Sequence, residues 1–216
     1  MQTTIPNFPN IIGEKSTIQP TSILEIGASN GMDAAFLQQI YGVSPKQVYC
    51  IEPNPDNYQT LISRYPDFNS VHAAAFNVTE KQTFQCHIPA ADISSFKKRI
   101  DYYIYNGDYR NNYYDVEVDV YRMDDFFAKH NIRTIDVCKV DVEGCTYEVL
   151  EGFGSRIADV NSWHIEGELK VLYENQKLFA DFQQLLIAAG FTMVDYCQFD
   201  DDTQCDSIWI KNTLIK

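Results

Sequence analysis

Short apolar runs that end at a glycine or an acid, each followed by a stretch with helical hydrophobic spacing, recur along most of the 216-residue chain. No other feature constrains the fold as strongly. Residues 22–26 (SILEI) close at Gly27, and residues 33–42 follow with Phe36, Leu37, Ile40 and Tyr41 read as one helical face. Residues 47–51 (QVYCI) form a second β-rich run, after which Asp56 caps a segment whose Tyr58, Leu61, Ile62 and Tyr65 fall at i, i+3, i+4 and i+7. Residues 70–76 and 82–87 read as a third strand and a short fourth, and β character returns at 116–121. A short helix is expected at 124–130, a strand at 135–141 (IDVCKVD), a helix at 146–150, a strand at 162–169 and a helix at 174–189 stopped by Gly190. Residues 191–199 and 207–211 look like an antiparallel pair. Parallel strands need crossover connections, so the pattern predicts an α/β fold: a mainly parallel sheet, helices on both faces and one antiparallel edge strand.

No linker or internal repeat divides the chain, and 1–216 reads as one domain. Pro6, Pro9, Gly13 and Pro20 make residues 1–21 an irregular arm, and residues 91–115 a tyrosine-rich insertion or lid. Thirty acidic against 17 basic side chains give a net charge of −13. A field of that sign repels phosphate backbones and anionic lipid heads, which argues against nucleic acid and membrane partners. No apolar stretch approaches the ~20 residues of a membrane-spanning helix, and no leader pattern is visible at the N-terminus, so a cytoplasmic location is expected. The six cysteines never fall into a C-x-x-C pair and read as reduced, buried thiols.

In sheets of this kind, ligands bind at the carboxyl ends of the strands. Gly27-Ala28-Ser29-Asn30-Gly31 sits at such a turn and admits three readings. As a dinucleotide fingerprint it fails, because Ser29 and Met32 stand where G-x-G-x-x-G needs glycine. As G-x-S-x-G it matches a hydrolase nucleophile elbow with Ser29 as nucleophile, although too few strands precede it. The third reading joins Glu25, the glycine loop and Glu52, which closes the second strand. Small residues let backbone approach a cofactor, and a carboxylate in that place accepts both ribose hydroxyls. Glu25 beside the turn repels a diphosphate and suits a cofactor bearing an ammonium group, as S-adenosylmethionine does.

Lys139, Asp141 and Glu143 form a second constellation. Alternation puts Lys139 and Asp141 on one strand face, with Glu143 continuing past the strand end. The bland alternative is an internal Lys139–Asp141 ion pair. The segment that contains them, residues 138–152 (CKVDVEGCTYEVLEG), resembles the K-I-D-V-E-G-A-E-x-E-V-L-x-G signature of the FkbM family of S-adenosylmethionine-dependent methyltransferases. ILEIGASNG resembles the family's first motif, Ile51-Glu52-Pro53-Asn54 its acidic second-strand motif, Asp92-Ile93-Ser94-Ser95-Phe96 its Ser-Ser segment, and His164-Ile165-Glu166 its later strand ending in Glu. The similarity spans about residues 22–211, with Thr146 standing where the family usually has Glu.

The resemblance implies a Rossmann-like class I methyltransferase fold, a seven-stranded sheet with a reversed last hairpin. It also implies methyl transfer to a hydroxyl, often of a sugar or a natural product. On that footing S-adenosylmethionine is held by Glu25, Gly27, Ala28, Ser29, Asn30, Gly31, Glu52, Pro53, Asn54, Ala75 and Asp141. In-line displacement needs alignment and removal of the hydroxyl proton. Candidate proton acceptors are Asp141, Glu143, Glu166 and His164, with Lys139 beside them. Three carboxylates near one cleft are alternatively donors for Mg²⁺ or Ca²⁺. Ser94, Ser95, Tyr105 and Arg110 are candidate acceptor contacts, the last two within a segment whose tyrosines suit sugar faces. His72, His87 and His130 have no ligand spacing.

Overall fold

A computed structural model describes residues 8–88, 93–100 and 112–216. Its framework is a seven-stranded sheet with order β3-β2-β1-β7-β8-β10-β9. The strands are β1 (Ile23–Ile26), β2 (Val48–Glu52), β3 (Asn69–His72), β7 (Ile135–Val140), β8 (Val160–Glu168), β9 (Phe191–Gln198) and β10 (Gln204–Lys211). β1 pairs in parallel with both β2 and β7, and β10 runs antiparallel to both neighbours. The reversed strand therefore lies one place in from the edge, with β9 outermost.

Strand alternation divides the core into two layers. Leu24 and Ile26 of β1 pack with Phe126 and Phe127 of α4 (Met123–Lys129), Val149, Leu150 and Phe153 of α5 (Thr146–Phe153), and Phe182 and Leu186 of α6 (Phe179–Ala188). On the opposite face Ile23 and Val137 pack with α1 (Phe8–Lys15), α2 (Met32–Tyr41) and α3 (Pro55–Arg64) through Phe8, Ile12, Leu37 and Leu61. Helices thus cover both faces, as two-sided burial of β1 and β7 demands.

Several expectations change. The N-terminal arm contains a helix, because Pro9 falls in its first turn, where the missing N–H costs nothing. On α2 the buried residues are Ala34, Ala35 and Leu37, whereas Phe36 and Ile40 are about half exposed. Small side chains bring that helix close to the sheet and turn the large ones outward. Asn54, not Asp56, caps α3: its Oδ1 accepts from the N–H groups of Asp56 and Asn57. The last long helix begins at Phe179 rather than 174.

Residues 70–76 do not form one strand. The chain leaves β3 at His72, and β4 (Ala74–Ala75) joins β5 (Glu80–His87) and β6 (Tyr113–Tyr121) in a separate three-stranded sheet, order β4-β6-β5. Tyr113, Tyr114 and Asp115 thus belong to a strand and not to the tyrosine-rich loop. Tyr105 and Arg110 lie outside the described residues. All six cysteines are free, five of them buried and Cys197 exposed. Among the described residues, no helix is long and apolar enough to cross a membrane.

Candidate active site

The chain runs outward from β1 through β2 to β3, then returns to β7 on the other side of β1. The loops after β1 and β7 consequently diverge at a switch in strand order, where open α/β sheets hold ligands. A cleft opens there, with about 120 Å³ of space inside it. Gly27 and Ser29 line it from the first loop, Glu52, Pro53 and Asn57 from the second, and Asp141, Val142, Glu143 and Cys145 from the third. The small sheet supplies Ala74, Ala75 and Phe84, and the following segment Ser94, Ser95 and Phe96. Phe84 and Phe96 meet edge to face, with centroids 5.2 Å apart. Phe84 and Asn57 lie outside the motifs read from the sequence, whereas Phe96 and Cys145 fall within them.

Gly27 shows why the first loop needs its glycine. Its φ is +79°, and an added Cβ would stand 1.8 Å from the carbonyl oxygen of Asp141. Beyond it, Ser29 N–H donates to Glu52 Oε2 at 2.7 Å, and Asn54 N–H to Glu52 Oε1 at 2.8 Å. Two carboxylate oxygens offer about four lone-pair sites, more than these two donors fill. Burial raises the Glu52 carboxyl to about 7, against the pull of the Asn54 and Ser29 N–H groups and the Asn57 side chain.

Other predicted cofactor residues have structural work instead. Asn54 is buried and does not line the cleft, because its side chain caps α3. Ala28 is buried, and Asn30 Oδ1 accepts from Met32 N–H at 3.2 Å. Gly31 lies under Leu61 and Tyr65. Glu25 points into the helical layer, where its Oε2 accepts from Ala34 N–H of α2 at 2.9 Å and Oε1 lies 3.7 Å from Lys139 Nζ. Register places Glu25 directly opposite Lys139. The Lys139 ammonium also lies 2.8 Å from Asp33 and 2.9 Å from Asp141. Burial works against its charge, yet Asp141, Glu25 and Asp33 hold it protonated, well above an ordinary lysine. Lys139 is a buried counter-ion with no free lone pair, which removes it as a proton acceptor.

His164 is displaced from the chemistry as well. Its Nε2 lies 2.7 Å from Asp206 Oδ1, its ring packs 4.4 Å from that of Phe8 beneath α1, and it does not line the cleft. Ser94 and Ser95 do line it, but their hydroxyls are engaged: Ser94 Oγ accepts from His87 N–H, and Ser95 Oγ donates to the Glu143 carbonyl at 2.6 Å. Thr146 Oγ1 donates to the carbonyl of Glu166.

Asp141, Glu143 and Glu166 come together, each offering an oxygen within 4.8 Å of the others. Asp141 and Glu143 line the cleft and Glu166 stands behind them. Each already accepts from a protein donor, respectively Lys139 at 2.9 Å, Tyr173 at 2.6 Å and Gln204 at 2.6 Å. A resident divalent cation fits poorly beside the Lys139 ammonium, and no step is derived through a metal. Burial, joined by the charge of Glu168, raises Glu143 to about 8. Burial and the charges of Asp141 and Glu143 push Glu166 well above the usual range. Burial thus holds Glu143 and Glu166 toward the protonated form.

The raised carboxyls set a direction for stability. Burial lifts Glu25 and Glu143 to about 8, and Glu52 and Glu168 to about 7, from near 4.5. Each favours the folded state fully below its unfolded value, and that contribution is lost as pH rises through the folded one. Calorimetric Tm is therefore expected to fall by several degrees between pH 5 and pH 9; a flat or rising Tm over that window would contradict these shifts.

Residues 25–193 match the Methyltransferase FkbM domain. The chain belongs to the FkbM methyltransferase family. No curated protein matches the sequence. Among solved structures it resembles the FkbM methyltransferase of Methylobacillus flagellatus KT, with TM-score 0.57 and 17% identity over 94% of this chain. That comparison covers 50% of the M. flagellatus chain, so this chain spans half its length. Aeropyrum pernix fibrillarin, in complex with natively bound S-adenosyl-L-methionine, gives TM-score 0.51 at 12% identity, covering 88% of this chain and 66% of that one. Magnesium protoporphyrin IX methyltransferase (ChlM) from Synechocystis PCC 6803, with bound SAM, gives 0.50 at 10%, covering 93% and 74%. At such identities the likeness is one of fold, the class I Rossmann-like methyltransferase architecture. FkbM proteins are S-adenosylmethionine-dependent, and the cleft of this family member fits that cofactor: a carboxylate with spare lone pairs at one end, a glycine cradle that a Cβ would fill, and an acid cluster suited to a sulfonium.

Proposed function

We propose that this FkbM protein transfers a methyl group from S-adenosylmethionine to a hydroxyl of a carbohydrate, either a glycan or a sugar-containing natural product. The observation that carries the reading is one cleft lined by Glu52 and by the acids Asp141 and Glu143, with a Glu166 oxygen within 4.8 Å of theirs. When bound, the cofactor supplies an electrophilic methyl on sulfur.

The chain's own residues do the rest. Glu52 accepts the ribose hydroxyls, and the Gly27 loop lies close enough to β7 to bring the cofactor end and the acid cluster into register. Asp141 or Glu143 takes the proton of the attacking hydroxyl, and Glu166 holds the negative charge of the pair in check through shared protons. An acid-lined acceptor end repels carboxylates and phosphates and suits a neutral polyol. The carbohydrate itself comes from the family resemblance.

Release of S-adenosylhomocysteine with a panel of neutral glycosides tests the reading. Asp141→Asn and Glu166→Gln are each expected to lower kcat by on the order of 10²–10⁴, and Glu166→Gln, outside the cleft lining, is expected to leave cofactor affinity close to wild type. Full turnover in both moves the base elsewhere. No product with any glycoside leaves a binding module that keeps the fold without the chemistry. The cytoplasmic location and the absence of nucleic acid and membrane partners belong to the same proposal, supported by the charge of −13.

A further inference from the structure

A side-chain relay ends on Glu143 from outside the cleft. Tyr173, in the loop between β8 and α6, is fully buried and donates its hydroxyl proton to Glu143 Oε2 at 2.6 Å. Arg99, from the segment after the small sheet, is also buried and donates from Nη1 to the same phenol oxygen at 2.7 Å. Its guanidinium lies 5.1 Å from the Tyr173 ring centroid and 3.7 Å from Glu143. A guanidinium has no acceptor, so the phenol must accept from Arg99 and can send its one proton only to the carboxylate. The orientation of the O–H is fixed by that asymmetry.

The backbone holds the relay in place. Ile100 N–H donates to Leu172 O at 2.8 Å and Glu174 N–H to Lys98 O at 2.9 Å, tying the two segments together on either side of Tyr173. Gly144, next to Glu143, has φ +72°, and an added Cβ would stand 2.7 Å from the Tyr173 ring. Glycine there lets the ring lie against the loop that carries Glu143. The carboxylate's other oxygen, Oε1, has no hydrogen-bond partner among the described residues.

We propose that Tyr173, oriented by Arg99, is the positioning residue that fixes the Glu143 carboxylate across the acceptor end of the cleft and leaves Oε1 to take the acceptor's proton. The proposal rests on the reading of that end as the acceptor site. The charged and titratable groups facing Glu143 are Arg99, Tyr173, Asp141 at the end of β7, and Glu166 and Glu168 on β8. Burial and the acids favour the protonated carboxyl, while Tyr173 and Arg99 oppose them. Loss of the relay therefore pushes Glu143 further toward the neutral acid and away from the form that can take a proton.

The test is a ¹³C NMR titration of glutamate-labelled protein, with the Glu143 resonance assigned by its loss in Glu143→Gln. Tyr173→Phe deletes a single oxygen and is expected to raise the Glu143 midpoint by about one unit, with S-adenosylhomocysteine affinity by calorimetry within about twofold of wild type. Arg99→Gln, which keeps the phenol, is expected to move the midpoint the same way and serves if Tyr173→Phe does not fold. A residue that only packs would lower Tm and leave the midpoint in place. An unmoved midpoint in the folded variant overturns the proposal and spares the acceptor-site reading. Undiminished methyl transfer by Glu143→Gln overturns that reading instead.

Discussion

Glu52→Ala is expected to weaken S-adenosylmethionine binding by on the order of 10²–10⁴-fold, measured by calorimetry on protein that keeps its far-ultraviolet circular dichroism. The magnitude follows from two charge-assisted hydrogen bonds to ribose, each contributing about 1.5–3 kcal/mol, at ~1.4 kcal/mol per tenfold. A second loss adds to it, because the N–H groups of Ser29 and Asn54 are left without their acceptor. Those two donors also explain how a buried carboxylate is tolerated before any ligand arrives: the loop after β1 and the start of α3 are both fastened to it. Affinity within a few fold of wild type would remove Glu52 from the cofactor site.

The second large effect is expected at Gly27. Gly27→Ala places a methyl 1.8 Å from the Asp141 carbonyl at φ +79°, so the β1 and β7 loops must part and the two ends of the cleft lose register. A left-handed alanine costs about 1–2 kcal/mol by itself, and the displacement raises the total to roughly 3 kcal/mol or more, a Tm drop of about 6–12 °C for a chain of this size. Cofactor affinity is expected to fall with it. Gly42→Ala is the control. Its φ of +66° carries the same conformational cost, but no atom stands within 4 Å of the added Cβ, so a fall of only a few degrees with normal binding is expected. Equal effects at the two positions would show that backbone conformation, not the approach of β7, is what Gly27 serves.

The sequence makes some of this site legible for a definite reason. A glycine that closes an apolar run, an acid that closes the next run and a K-x-D-x-E alternation are local patterns, and strand geometry converts them into positions at one sheet edge. Gly27, Glu52, Asp141 and Glu143 were readable in this way, and all four line the cleft. Glu25 and Lys139 are also charges on buried strands, and that much signals a partner. Which partner depends on register between β1 and β7 and on where α2 begins, neither of which is local. Tyr173 and Arg99 reach Glu143 over sequence separations of 30 and 44 residues with no motif to mark them.

Fold-level differences have similar origins. The strands at 82–87 and 116–121 are legible, but their separation into a small sheet is not, because β4 has only two residues and pairing with β6 is long-range. The outward turn of Phe36 and Ile40 on α2 follows from the closeness that Ala34 and Ala35 allow, a packing fact that outweighs the tendency of large apolar residues to face inward. His164 illustrates the converse. Its place near a strand end suggests chemistry, yet Asp206 on β10 and Phe8 on α1 enclose it, and it does not line the cleft.

A crystal structure of the protein soaked with S-adenosylhomocysteine tests the central claim most directly. The predicted result is ribose hydroxyls at about 2.6–3.0 Å from the Glu52 oxygens, backbone of the Gly27 loop against the amino-acid portion, and sulfur facing Asp141 and Glu143. An adenosine lodged elsewhere, or a ribose turned away from Glu52, would contradict it.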